Sequence, residues 1–227
     1  MELLPNGLSL EIPSGCFPLS TDSMVLADFV RPSPTTLDLG SGCGTLGTLL
    51  CANHPNCHVT GMELDPIAHN AALDNIRRNG LEARMDSICA DLRSVNQRLE
   101  AGSFQCCVSN PPYFSGGAAS KATPLARRDD CCQSSDLFRA AAWALRWGGD
   151  FYLVHKPEML AQLCACASAN QLEPKRLRLI RHQQDGPVSL ILLQCRKGGK
   201  TGLVWEEEAL HDIRGERTAY YHRVYHI

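Results

Sequence analysis

No stretch of this 227-residue chain stays apolar for long enough to cross a bilayer. Its opening residues, MELLPNGLSLEIP, lack the basic-then-apolar order of a secretory leader, so a cytoplasmic location is expected. Net charge is nearly absent: 22 basic against 24 acidic residues leave −2, a balance that does not by itself announce a nucleic-acid partner. Internal repeats and low-complexity tails are missing as well. No C-x-x-C pair occurs among the 12 cysteines, and the doublets Cys106–Cys107 and Cys131–Cys132 suit a metal cage poorly. Most of these cysteines sit in apolar or small-residue runs and read as reduced thiols. Cys51, His54, Cys57 and His58 have metal-like spacing, yet a strand starting near Cys57 would turn Cys57 and His58 to opposite faces. No metal is expected.

What is present is an ordinary globular composition, 44% apolar and 20% charged, enough for one well-buried α/β domain. Strand-like runs at 8–12, 35–39, 57–63, 83–90, 104–109 and 150–155 alternate with helical patterns at 22–29, 45–53, 65–79, 94–100, 134–147 and 158–169. That order predicts a mostly parallel sheet with helices on both faces. Residues 172–182 and 188–195, joined by the turn QQDGP, predict an antiparallel hairpin. The expected organisation is a single domain: an N-terminal cap over 1–34, a core over 35–195 and an edge extension over 196–227. The aromatic tail TAYYHRVYHI is expected to pack on the sheet edge.

The turn LDLGSGCGTLG carries Gly40, Gly42, Gly44 and Gly47, and Glu63 follows about 20 residues on, where a ribose ligand belongs. Such turns serve several adenosine cofactors. Asp38, two residues before Gly40, tilts the choice. A pyrophosphate there would face an extra carboxylate, whereas S-adenosylmethionine has no phosphate and carries an ammonium and a sulfonium. Asp91, after the third core strand, is suited to accept from an adenine amine. Three acids thus end three successive strands along one edge.

The fourth core strand runs into SNPPYF. Pro111 and Pro112 cannot join a ladder, and Asn110 before a proline is pushed to an extended conformation. The result is a stiff corner offering two acceptors, the Asn110 side-chain oxygen and the Pro111 carbonyl. A conjugated exocyclic amine has two N–H groups and a delocalised lone pair. Holding both hydrogens favours a pyramidal nitrogen aimed at a methyl donor. Tyr113 would stack on the flat substrate, with Phe114 within reach. Arg127 and Arg128 follow in a Gly/Ser/Ala-rich loop, and Lys175, Arg176, Arg178 and Arg181 form a second basic cluster. Were the substrate an RNA, both clusters would bear on its affinity.

The combination LDLGSGCG, GMELDP, CADL and SNPPYF resembles class I, Rossmann-like S-adenosylmethionine-dependent methyltransferases acting on amine or amide nitrogens. STDSMVLADFV, ARRDD, GGDFYLVHKPEML and LEPKRLRLIRH resemble, more narrowly, the bacterial valine-tRNA adenine-N6 methyltransferase family. The resemblance implies that Asp38, Gly40 and Gly42 meet the methionine side of the cofactor, Glu63 its ribose and Asp91 its adenine. It also implies that Thr21 and Asp22 close over the cofactor, that Asn110, Pro111, Pro112 and Tyr113 are the catalytic motif, and that the partner is tRNA. The loop reads ARRDD where that family usually shows Arg-His-Glu. Protein glutamine-amide and rRNA guanine-amine methylation remain as alternatives, and a nicotinamide-dependent oxidoreductase as a remote one. The sequence carries no signal for oligomeric state.

Overall fold

Cys106 and Val108 face one side of a sheet and Cys107 the other, and Tyr152, Val154 and Phe151, Leu153 divide in the same way. Side chains alternate along a strand, so apolar residues at consecutive positions mean that both faces are covered. The computed structural model describes residues 1–4, 7–112 and 134–226. Its main sheet has eight strands: β3 (Thr35–Leu39), β4 (His58–Glu63), β5 (Met85–Cys89), β6 (Phe104–Ser109), β7 (Leu145–His155), β8 (Leu172–Gln183), β9 (Val188–Lys197) and β10 (Val204–His211). They lie in the order β10-β8-β9-β7-β6-β3-β4-β5, and only β9 runs against the others. A separate pair, β1 (Glu2–Leu3) with β2 (Ser9–Leu10), precedes them.

One face is covered by α1 (Thr21–Phe29), α2 (Thr45–Asn53), α3 (Pro66–Arg78) and α7 (Ala219–Tyr225), which bury Phe29, Leu50, Ile76 and Tyr220 against it. The other is covered by α4 (Val95–Arg98), α5 (Ser134–Ala144) and α6 (Leu160–Ala169), through Val95, Phe138 and Leu163. Helix α3 shows why its ends fall where they do. Asp65 caps it by accepting from the Ile67 N–H at 2.9 Å, Pro66 takes the first turn, and Arg77 and Arg78 sit at the negative end.

Two expectations need correction. The helix expected over 134–147 ends at Ala144, and β7 begins at Leu145 with a register shift opposite β6. Gly149 permits this early pairing, because a Cβ there would fall 2.9 Å from the Gln105 carbonyl oxygen. Strand β10 was not expected at all; it pairs parallel to β8 outside the hairpin. The aromatic tail does pack at that edge, but as helix α7, capped by Thr218 accepting from the Tyr221 N–H.

Candidate active site

The carboxyl ends of β6, β3, β4 and β5 stand side by side, which brings Asn110, Asp38, Glu63 and Asp91 to one edge. Asp38 pairs with Val108 on one flank and Gly61 on the other. The chain then turns sharply through Gly40 and Gly42, both with positive φ that a Cβ would strain. The N–H groups of Gly40 and Ser41 both bond to the Met62 carbonyl, at 2.8 and 3.2 Å, seating the turn on the end of β4.

Two glycines that sequence reasoning left without a cofactor role have a packing one. A Cβ on Gly47 would meet Met85 Cε at 2.5 Å, so this glycine sets how closely α2 lies on the sheet. A Cβ on Gly61 would meet Ser41 Oγ at 2.6 Å, so Gly61 makes room for the turn itself. Nothing in the local pattern around Gly61 signalled this, because its neighbour is 20 residues away.

Glu63 braces the turn it was expected to serve. Its Oε2 accepts from the Gly42 N–H at 2.7 Å and its Oε1 from the Asp65 N–H at 2.8 Å. A carboxylate oxygen has more than one lone pair, so both can still accept from a pair of hydroxyls.

Asp38 lies beneath the turn rather than at the mouth of the crevice, 1% exposed. Burial, reinforced by the charge of Glu63, pushes its carboxyl up to about 7, against a lowering contribution from the Gly47 N–H. Its Oδ2 has no hydrogen-bond partner among the described residues. A buried carboxylate oxygen without a donor is costly, and a cationic ligand above the turn would relieve it. The donor set therefore fits a cofactor that brings an ammonium to Asp38 and a diol to Glu63.

Asp91 caps a short 3-10 turn through the Arg93 N–H at 2.8 Å and pairs with the Arg93 guanidinium at 2.6 Å. The Arg93 side chain holds this carboxyl below its ordinary range. An adenine amine at Asp91 would share the carboxylate with Arg93.

On the far side, Ser109 Oγ donates to the Leu39 carbonyl at 2.7 Å and locks β6 to β3. The next residue, Asn110, donates from Nδ2 to Ser23 Oγ at 3.0 Å. Its Oδ1 takes no hydrogen bond from the described residues. Pro111 is buried and Pro112 half-buried at the start of the exit. Tyr113, Phe114, Arg127 and Arg128 lie outside the described residues, as do Cys131 and Cys132.

Ser23 belongs to α1, whose first residues Thr21 and Asp22 were expected near the cofactor. Thr21 Oγ1 instead shares a hydrogen bond with the Tyr225 hydroxyl at 2.9 Å, and Asp22 sits in the first turn of the helix, a favourable place for a negative charge. His155, at the end of β7, also escaped sequence reasoning. Burial lowers it to about 4, and its Nδ1 accepts from the Lys156 N–H at 2.8 Å, so it stands neutral beside the site.

The second basic cluster is not an open positive surface. Arg178, buried, pairs with Asp28 at 2.8 Å and Glu206 at 2.7 Å. Arg176 pairs with Glu206 at 3.0 Å and lies over the Phe29 ring. Arg181 faces Glu207, and Lys175 Nζ donates to the Lys200 carbonyl. The acids come mainly from β10, the strand that was not expected, so an RNA role for this cluster is withdrawn.

The methyltransferase small-domain family matches residues 21–164. A Shewanella halifaxensis protein named tRNA1(Val) (adenine(37)-N6)-methyltransferase is 32% identical over 162 residues, 68% of this chain and 64% of that relative, just under two thirds of its length. A Tolumonas auensis protein of the same name is 31% identical over 198 residues, 85% of this chain and 80% of the relative. Among solved structures, a predicted O-methyltransferase from Agrobacterium tumefaciens superposes with a TM-score of 0.76 at 21% identity, covering 91% of this chain and 96% of that one. The shared fold is that of the class I methyltransferases.

Proposed function

Because the chain belongs to the methyltransferase small-domain family, we propose that it transfers a methyl group from S-adenosylmethionine to the exocyclic N6 of an adenine in tRNA. A tRNA substrate puts the reaction in the cytoplasm. The observation that carries this reading is the Asn110 amide. Its Nδ2 is engaged by Ser23, so Oδ1 is the atom left to accept from a ligand, next to the Pro111 carbonyl at the end of the strand adjoining the glycine turn.

When bound, S-adenosylmethionine supplies an electrophilic methyl carbon attached to a sulfonium. Asp38, Gly40 and Gly42 hold the amino-acid end of the cofactor, Glu63 its ribose hydroxyls and Asp91 its adenine. Asn110 Oδ1 and the Pro111 carbonyl accept the two amine hydrogens and fix the nitrogen with its lone pair turned toward the cofactor. Neither acceptor needs to be a strong base. As the methyl carbon leaves sulfur for nitrogen the positive charge moves to nitrogen, which then gives up one of the two held hydrogens to water. The residues contribute orientation and preorganised dipoles. His155, neutral and buried, takes no proton. Tyr113 and Phe114, outside the described residues, are assigned to the flat base from their place in the sequence, and Arg127 and Arg128 to the RNA backbone.

Incubation with labelled cofactor and unmodified tRNA, followed by nucleoside mass spectrometry, tests this. N6-methyladenosine is the expected product. Removing one acceptor of the pair, Asn110→Ala, lowers the rate by about 10²–10³, while S-adenosylhomocysteine affinity measured by calorimetry stays within about twofold. Label in protein but not in tRNA would overturn the reading.

A further inference from the structure

The tail expected merely to pack on the sheet edge does more than that. Helix α7 docks through Tyr220 and Val224, both buried. Tyr221 and Tyr225, one helical turn apart on a different face, remain half-buried and stack on each other, with centroids 4.4 Å apart and planes at 26°. The row continues beyond them. His211 lies 5.3 Å from Tyr221 and His182 lies 4.9 Å from His211. A turn bonded through Asp212 and Glu216 folds the chain back, and the Arg217 guanidinium comes to rest 4.8 Å over the Tyr221 ring. Arg223 is held by Asp28 and Glu208, whereas Arg214 and Arg217 are exposed and form no ion pair among the described residues.

The row also has a defined place relative to the site. Strands β8 and β10 run parallel to β6, so His182 and His211 emerge at the same edge as Asn110. Four strand spacings separate β6 from β10, about 19 Å across the sheet. At the other end of the row, the Tyr225 hydroxyl bonds to Thr21 of α1, and Ser23 of that helix holds Asn110.

We propose that the row His182, His211, Tyr221 and Tyr225, with Arg217, is a stacking platform for unpaired nucleotides of the RNA beside the methylated base. Partly exposed rings beside an exposed guanidinium suit single-stranded nucleic acid, whose bases all present a π face and whose backbone is anionic. Tyr220 and Val224 supply the fully buried contacts of α7, while Tyr221 and Tyr225 pack against the same core only in part and keep the rest of their rings open to solvent. This inference rests on the RNA-methyltransferase reading and names the surface by which that site gathers its substrate.

Binding of a tRNA(Val) transcript by anisotropy, at two salt concentrations, provides the test with His182→Ala, Arg217→Ala and Tyr221→Leu. The first two alter exposed positions, so they remain informative if the leucine variant folds poorly. Tyr221→Leu and Arg217→Ala are expected to weaken binding by about tenfold. Arg217→Ala should also lower the salt slope by about one. Affinity for S-adenosylhomocysteine should stay unchanged in all three, and ultraviolet cross-links to RNA should map within 211–225. If the unaltered protein methylates tRNA and every variant binds it within twofold, the platform is wrong and the reading stands. If the unaltered protein neither binds nor methylates tRNA, both fall. Variants that keep RNA binding but lose a co-purifying protein would make this a protein surface and overturn the proposal.

Discussion

Asn110 Nδ2 donates to Ser23 Oγ across 3.0 Å, joining the strand end that would bear the reaction to the first turn of an N-terminal helix. An amide free to flip would present a donor or an acceptor to the substrate. With Ser23 as the hydrogen-bond acceptor, the oxygen is left to face the ligand. In the proposed reaction Ser23 would be a positioning residue.

Ser23→Ala should therefore lower kcat and leave KM for the cofactor unchanged. A single neutral hydrogen bond is worth about 1 kcal/mol, roughly a fivefold fall in rate. Ser23→Thr, which keeps an oxygen at the same position, should recover most of it. Equal losses in both variants, tracked by a fall in Tm, would mean that the hydroxyl serves packing alone.

Asp38 should make the ligand-free protein more stable in mild acid. Its folded-state carboxyl is raised to about 7 from an ordinary 3.8, so the folded state binds more protons between those values. The stability that protonation contributes is complete below the unfolded value and is lost as pH rises through about 7. Asp38→Asn should then raise Tm at pH 8 by several degrees and have little effect near pH 4. S-adenosylhomocysteine, through its ammonium, should flatten this dependence in the unaltered protein. Thermal melts across pH, with and without it, read out both effects.

Arg178 is held among Asp28, Glu206 and the rings of Phe29 and Tyr220. Arg178→Ala would take the shared cation from Asp28 and Glu206, leaving each with one arginine, Arg223 and Arg176, and would empty the space beside Phe29 and Tyr220. A loss of about 3 kcal/mol is expected, or roughly 6–12 °C in Tm for a domain of this size. The salt slope of RNA binding should not change, which separates this cluster from a phosphate-binding one. A changed slope with an unchanged melt would reverse that assignment.

The parts legible in the sequence were those governed by neighbours along the chain. Glycines set the turn after β3, Asp65 and Pro66 start α3, and the prolines stop β6; each is a local constraint. Strand β10 escaped because its half of the pattern, Glu206 to Glu208, is acidic where alternation looks for apolar residues. Those acids are matched by Arg176 and Arg178 on β8, a pairing that only the folded sheet supplies. The early start of β7 escaped because Leu145–Trp147 continues a helical period until two glycines let it pair as strand. At the site, strand ends located Asp38, Glu63 and Asn110. Ser23 could not be found that way, since it meets Asn110 across 87 residues.

The bond from Thr21 to Tyr225 spans 204 positions, and Asp28 reaches forward to Arg223 over 195. Translation adds about 5–20 residues per second. Helix α1 therefore leaves the ribosome on the order of ten seconds before its partner helix exists. During that interval the glycine turn, the strands around it and the contact of Phe29 with Tyr152 can already form, while Thr21 and Asp28 lack their α7 partners. A nascent chain would hold the cofactor crevice in outline before the helix that carries Ser23 is tied down by α7.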